Sequence, residues 1–232
     1  MLYSLFSSIN SLEILKSISS RSCLAAFTAF FISIFFGHWF IKRLRSLKVG
    51  EDTTKTDSEE LKRMHFDKKN TPTMGGIVII VSILVSVLLW CNIYNEYILL
   101  LMFTLIWFGV LGFIDDYIKL TQTKAAGLTD VSKLLFQSAL GLILGLILYF
   151  HMKKFAWGTH VVIPLVKDFR PDLGPLYILF VTFFIVGMSN AVNLTDGLDG
   201  LAIGCGIIAG IAFAVVAYVS GRMDFSNYLR IL

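Results

Sequence analysis

The 232-residue chain is 56% hydrophobic and 16% charged, with a formal net charge of +4 and a mean hydropathy of +0.76. Soluble domains carry about 25% charged residues. The apolar residues here gather into six long runs that cannot all be interior in a chain this small, which excludes an ordinary soluble globule.

Residues 24–41, 74–91, 97–114, 134–150, 173–195 and 200–221 lack any Asp, Glu, Lys or Arg. At 1.5 Å per residue, a helical run of about 17 residues or more approaches or spans a hydrocarbon core of about 30 Å. The reading is an all-α, polytopic membrane protein with six transmembrane helices, in a single domain covering residues 1–232. Lys16 and Arg21 precede the first span. That span is too long for a secretory h-region, and no small-residue cleavage site follows before the basic cluster from Lys42, so it is read as an uncleaved anchor. Cys23, Cys91 and Cys205 lie singly in or beside spans, which suggests packing rather than a disulfide framework.

Residues 42–73 hold a mixed-charge arm and then "DKKNTPTMGG", residues 67–76, which leads into the second span. Pro72 suits a helix start, Gly75 and Gly76 permit close backbone approach, and Lys68 and Lys69 lie at the membrane surface. A basic anchor for lipid headgroups explains this segment equally well. After the second span, "NIYNEY" is a short turn.

The third span runs into "GFIDDYIKL", residues 112–120. Adjacent carboxylates at the end of an apolar helix repel each other and lose hydration. A divalent cation relieves both penalties, and Mg²⁺ on one or two carboxylates plus substrate phosphates is the common arrangement. Lys119, three residues after Asp116, shares its face on a continuing helix. The competing explanation is a solvated helix end with a stray ion pair. Between the fourth and fifth spans, residues 151–172 are read as an amphipathic hairpin or interfacial segment.

"NAVNLTDGLDGL", residues 190–201, separates the last two spans, and Asp196 and Asp199 are the only charges between Asp172 and Arg222. Asn190, Asn193, Asp196 and Asp199 recur at spacing three, a stripe on a helix, with Gly197 and Gly200 marking a break partway. Irregular backbone at a membrane boundary is tolerated where it lines protein or water, and directed Asn and Asp hydrogen bonds suit a nucleoside or sugar. The glycines at 200, 204, 206 and 210 are read as helix-packing residues. His38, His65, His151 and His160 show no metal-ligand spacing.

Lys and Arg number 9 in residues 42–73 and 3 in 115–133, against 2 before the first span, 4 in 151–172 and 2 after the last. The positive-inside rule places 42–73 in the cytoplasm and the N-terminus outside. Parity then puts 115–133 and 196–199 in the cytoplasm as well, so every unusual polar cluster shares one side. That side argues against glycosylation of the "NLT" sequon. It also suits a site for a phosphorylated, water-soluble substrate facing a lipid one.

"TPTMGG", "GFIDDYIK" and "NAVNLTDGLDGLA", with the looser "GLTDVSKLL", closely resemble the phospho-N-acetylmuramoyl-pentapeptide transferase pattern of glycosyltransferase family 4, from about residue 20 onward. The resemblance implies transfer of phospho-MurNAc-pentapeptide from UDP-MurNAc-pentapeptide to undecaprenyl phosphate. The products are lipid I and UMP, the first membrane step of peptidoglycan synthesis, with Mg²⁺ as cofactor. It implies a bacterial cytoplasmic membrane location, contact with membrane lipid, room for a homodimer and no nucleic-acid partner. Asp115 and Asp116 match the essential pair and its metal site, one of them serving as general base or, in a two-step scheme, as nucleophile. Lys119 and Lys133 match lysines near the phosphates, and Asn190 matches an active-site amide. Lys68, Thr73, Asn193, Asp196 and Asp199 match the nucleoside pocket and its approaches.

Sister families that transfer GlcNAc-1-phosphate resemble the chain less. A cation-coupled transporter using Asp115, Asp116, Asp196 and Asp199 is a different class of reading, disfavoured because the acids sit at span ends rather than near the midplane. The family fold has about ten spans and continues to a further Asp ligand and a His-rich loop, whereas this sequence stops at "SNYLRIL". The expectation is that residues 1–232 alone, a fragment or an inactive truncated remnant, insert in a membrane without catalysing transfer.

Overall fold

The computed structural model describes residues 17–46, 74–121, 127–155, 158–161, 169–198, 200–222 and 225. Six helices carry the described chain: α1 (Ile18–Ser46), α2 (Gly76–Trp90), α3 (Glu96–Thr121), α4 (Asp130–Met152), α5 (Leu176–Thr195) and α6 (Leu201–Ser220). All but α2 are long and apolar enough to cross a membrane. At 15 residues, α2 reaches only about 22 Å. Their apolar surfaces are mostly exposed, Phe183 at 78% and Phe213 at 74% among them. Water would make such exposure untenable, whereas lipid makes it the expected state. The chain is a polytopic membrane protein.

Two compact units divide the chain, Met1–Phe136 and Gln137–Leu232, so that α4 begins in the first and continues into the second. In the first unit α2 packs against both α1 and α3. Val78, Ser82 and Ser86, spaced at four, are the buried residues of α2. Ser82 donates its own proton to the Val78 carbonyl at 2.7 Å and accepts one from Ser33 of α1 at 3.0 Å. The Trp90 indole N–H donates to Thr28 Oγ1 of α1 at 2.9 Å. With lipid as solvent, small residues and such interhelical hydrogen bonds do the work that burial does in water. On the other side, Gly109 of α3 leaves room for Ile80, whose Cδ1 would lie 2.8 Å from an added Cβ.

In the second unit the buried residues of α4 are Gln137, Leu140, Gly141, Leu144 and Gly145. A Cβ on Gly141 would meet Thr182 Cα of α5 at 2.8 Å, and one on Gly145 the Ile178 carbonyl at 2.9 Å. Two glycines four apart therefore bring these backbones together. The close glycine packing expected on α6 is not made, since a Cβ at Gly204, Gly206 or Gly210 meets nothing within 4 Å among the described residues. Gly75 and Gly76 meet nothing within 4 Å among the described residues either; Gly75 forms the N-cap of α2.

The segment before α5 is hairpin-like, with a single antiparallel bridge between His160 and Asp172. The Asp172 carboxylate accepts the Thr159 hydroxyl and the Gly174 N–H. These two bonds hold its pKa below the usual carboxylate value. Gly174 takes a positive φ of +48°, and Pro175 caps the start of α5.

Candidate functional site

The helix that carries "GFIDDYIKL" does not stop at the membrane boundary but runs on to Thr121, so Asp115, Asp116 and Lys119 all lie on α3. Helical geometry puts Lys119 within reach of both carboxylates. The tighter pair is not the expected one with Asp116. Lys119 Nζ lies 2.8 Å from Asp115 Oδ2 and 3.9 Å from Asp116 Oδ1. One turn of spacing (i, i+4) aligns the side chains better than i, i+3 at this site.

From the far side of the loop, Lys133 on the first turns of α4 reaches Asp115 Oδ1 at 3.1 Å. The Leu128 N–H donates to the same oxygen at 2.7 Å. Both Asp115 oxygens are thus engaged by positive or N–H donors, and its side chain is only 14% exposed. Charge-assisted bonds of this kind are among the stronger ones, and their cooperation offsets the desolvation of the carboxylate. Asp116 on the same turn is 34% exposed.

Gly127 makes this geometry accessible. Its φ is +94°, and a Cβ there would lie 2.5 Å from Asp115 Oδ1 and 2.9 Å from Lys119 Cε. The turn needs a residue without a side chain on both counts. Thr129 Oγ1 then accepts the Ser132 N–H at 3.2 Å, capping the start of α4 two residues beyond the Leu128 contact.

The second unit carries its own polar cluster on α4 and α5. Asn190 Nδ2 donates to the Val186 carbonyl at 2.8 Å and to Gln137 Oε1 at 2.9 Å. Gln137 Nε2 donates to Ser189 Oγ at 3.1 Å, and Gln137 is 5% exposed. Asn193 and Asp196 are exposed toward the end of α5, where Asp196 is the C-cap residue and gives its backbone N–H to the Val192 carbonyl at 3.1 Å. Gly200, at φ +81°, restarts the chain as the N-cap of α6. Asn190 and Asn193 therefore lie on α5, and the helix ends before Asp196, its C-cap residue.

Asp115, Asp116, Lys119 and Lys133 come together, and Asn190 is anchored by Gln137. Lys68, Thr73 and Asp199 lie outside the described residues. Gly127, the Leu128 N–H, Gln137 and Ser189 are members of these clusters that the sequence reading did not single out. A Gly just before a capped helix start was a usable signal for the first. A Gln inside an apolar span was one for the third.

Among the described residues no three of His, Cys, Asp and Glu converge as a ready metal cage. That donor set still fits a Mg²⁺ ion, which takes one or two protein carboxylates and completes its octahedron with waters and substrate phosphates. Asp115 is engaged by Lys119 at 2.8 Å and Lys133 at 3.1 Å, whereas Asp116 meets Lys119 only at 3.9 Å.

The glycosyl transferase family 4 profile matches residues 97–232, and the phospho-N-acetylmuramoyl-pentapeptide-transferase signature 1 matches residues 68–80. The chain is similar to the phospho-N-acetylmuramoyl-pentapeptide-transferase of Desulforapulum autotrophicum, 42% identical over 230 residues, covering 99% of this chain and 62% of that protein. The protein of the same name from Oleidesulfovibrio alaskensis is 41% identical over 230 residues, with 99% and 62% covered. The chain spans about three-fifths of the length of these curated relatives.

Proposed function

The chain belongs to glycosyl transferase family 4, and on that premise we propose that its protein transfers phospho-MurNAc-pentapeptide from UDP-MurNAc-pentapeptide to undecaprenyl phosphate, with Mg²⁺. The observation that carries the reading is the cluster near the end of α3, where Lys119 and Lys133 both pair with Asp115 and Asp116 lies beside it, 3.9 Å from Lys119. A phosphate oxygen of the lipid forms a new bond to the sugar-bearing phosphorus. The P–O bond to UMP breaks, and UMP leaves with the electron pair. Little covalent work falls to the protein, which positions the reactants and neutralises charge.

Asp115 fixes Lys119 and Lys133 so that their ammonium groups face one region, where the diphosphate binds. Asp116 would hold Mg²⁺ through its carboxylate, or takes the proton of a monoprotonated lipid phosphate. Bound there, Mg²⁺ would supply positive charge that offsets the negative charge of the phosphate oxygens. Asn190, Asn193 and Asp196, with Lys68, Thr73 and Asp199, contact the nucleotide and its approaches. The basic segment 42–73 lies in the cytoplasm, and the protein resides in the bacterial inner membrane. The match of signature 1 to residues 68–80 favours this substrate over GlcNAc-1-phosphate.

The test uses the product of the complete gene, purified in detergent and supplied with UDP-MurNAc-pentapeptide, undecaprenyl phosphate and Mg²⁺, with UMP release followed. Asp116→Asn lowers turnover by orders of magnitude and weakens the response to added Mg²⁺. Near wild-type formation of lipid-linked product by that variant would overturn the assignment and leave a structural ion pair.

A further inference from the structure

We infer that Gln137 is a positioning residue that fixes which end of the Asn190 amide faces the substrate. The polarity of the network has an unambiguous anchor. The Val186 carbonyl can only accept, so the group 2.8 Å from it on Asn190 is Nδ2. The second proton of Nδ2 goes to Gln137, 2.9 Å away, which must present Oε1. Gln137 Nε2 is thereby turned to Ser189, whose Oγ accepts at 3.1 Å. One backbone carbonyl sets the orientation of three side chains in sequence.

Both Asn190 N–H groups are committed, so Oδ1 is what Asn190 offers. It can receive a hydrogen bond, from a hydroxyl or N–H of the nucleotide sugar, and cannot give one. Val186 alone would leave the side chain held at one point. Gln137 supplies the second point from another helix, and at 5% exposure its amide has no water to turn toward. A wrongly placed active-site group by about 1 Å costs on the order of a hundredfold in rate. That is why a buried amide one shell from the substrate matters to turnover. The inference rests on the proposed placement of Asn190 in the transferase site.

The experiment is a double-mutant cycle on the product of the complete gene, with kcat and KM for the nucleotide sugar and the thermal midpoint measured for each variant. Gln137→Met, similar in volume and without the amide, lowers kcat/KM by about tenfold to a hundredfold. Gln137→Glu keeps an acceptor for Asn190 Nδ2 and recovers activity to within a few fold, even if Gln137→Met folds poorly. Because Gln137 acts through Asn190, the double variant Gln137→Met/Asn190→Ala is no slower than Asn190→Ala alone.

If Gln137→Met is folded and as active as wild type while Asn190→Ala is impaired, the positioning role is wrong and the transferase reading stands. Losses from the two sites that simply multiply also overturn it, since a purely structural glutamine behaves that way. Gln137→Glu remaining as impaired as Gln137→Met overturns it too. Wild-type turnover by Asn190→Ala removes Asn190 from the site, and the inference falls with that placement.

Discussion

Substituting Gly127 by Ala tests whether the loop before α4 is built around Asp115. Two costs combine at this position. A residue with a Cβ pays about 1–2 kcal/mol to hold a left-handed backbone, here at φ +94°. The new Cβ also sits 2.5 Å from Asp115 Oδ1, far inside van der Waals contact. The carboxylate cannot swing away without leaving the Leu128 N–H at 2.7 Å and Lys133 at 3.1 Å. A hydrogen bond to a charged group is worth about 1.5–3 kcal/mol. The sum is about 3–5 kcal/mol.

Gly200 provides the control, because its φ is +81° and a Cβ there meets nothing within 4 Å among the described residues. Gly200→Ala carries the backbone cost alone, about 1–2 kcal/mol. For a domain of 150–250 residues, 1 kcal/mol moves the melting temperature by about 2–4 °C. Gly127→Ala therefore lowers the midpoint by about 6–20 °C and Gly200→Ala by about 2–8 °C, the larger shift belonging to Gly127 under any one conversion. Tryptophan fluorescence or loss of the monodisperse peak on heating in detergent measures both. On the proposed assignment of the α3 cluster to the transferase site, turnover falls with Gly127→Ala as well, because Lys119 and Lys133 lose their common anchor. Equal midpoints for the two variants would falsify the claim that Gly127 is constrained by Asp115 rather than by its φ alone.

Other outcomes follow from the same physics. Gly141→Val pushes α4 off α5, because its Cβ would meet Thr182 Cα at 2.8 Å; overpacking of this kind costs about 1–3 kcal/mol, and Gly204→Val, where a Cβ meets nothing within 4 Å among the described residues, is the near-neutral comparison in a detergent melt. The bonds from Thr159 and Gly174 lower the Asp172 pKa from 3.8, so the folded form binds its proton less tightly than the unfolded one. The resulting stabilisation is present above the unfolded pKa and is lost as pH falls through the depressed value. Hydrogen exchange at the Gly174 amide should accelerate across that acidic window relative to neighbouring amides, and Asp172→Asn should abolish the pH dependence. A cysteine placed at Thr56 should react with an impermeant reagent from the cytoplasmic side only; labelling from outside intact cells would refute the orientation drawn from the 9 Lys and Arg in residues 42–73.

Hydropathy alone determined that the chain is a helical membrane protein, because a helix in lipid must satisfy its own backbone and expose an apolar surface, and both demands are written in single residues. The motifs were equally legible, since the spacing of Asp115, Asp116, Asn190 and Asn193 is local to one helix each. Helix ends were less so. Charged residues ended the apolar runs at 41 and 114, yet α1 and α3 continue to Ser46 and Thr121, since charge stops burial in lipid without stopping helical hydrogen bonding. Only the tertiary structure decided which carboxylate the lysines hold. Asp115 and Asp116 are equivalent in a sequence, and what separates them is Leu128 and Lys133 arriving across a turn that Gly127 permits. The same holds for the glycines: Gly141 and Gly145 of α4 are packed, while among the described residues the more conspicuous glycines of α6 meet no neighbour. A small residue only permits close approach, and whether a partner helix arrives is decided elsewhere in the chain.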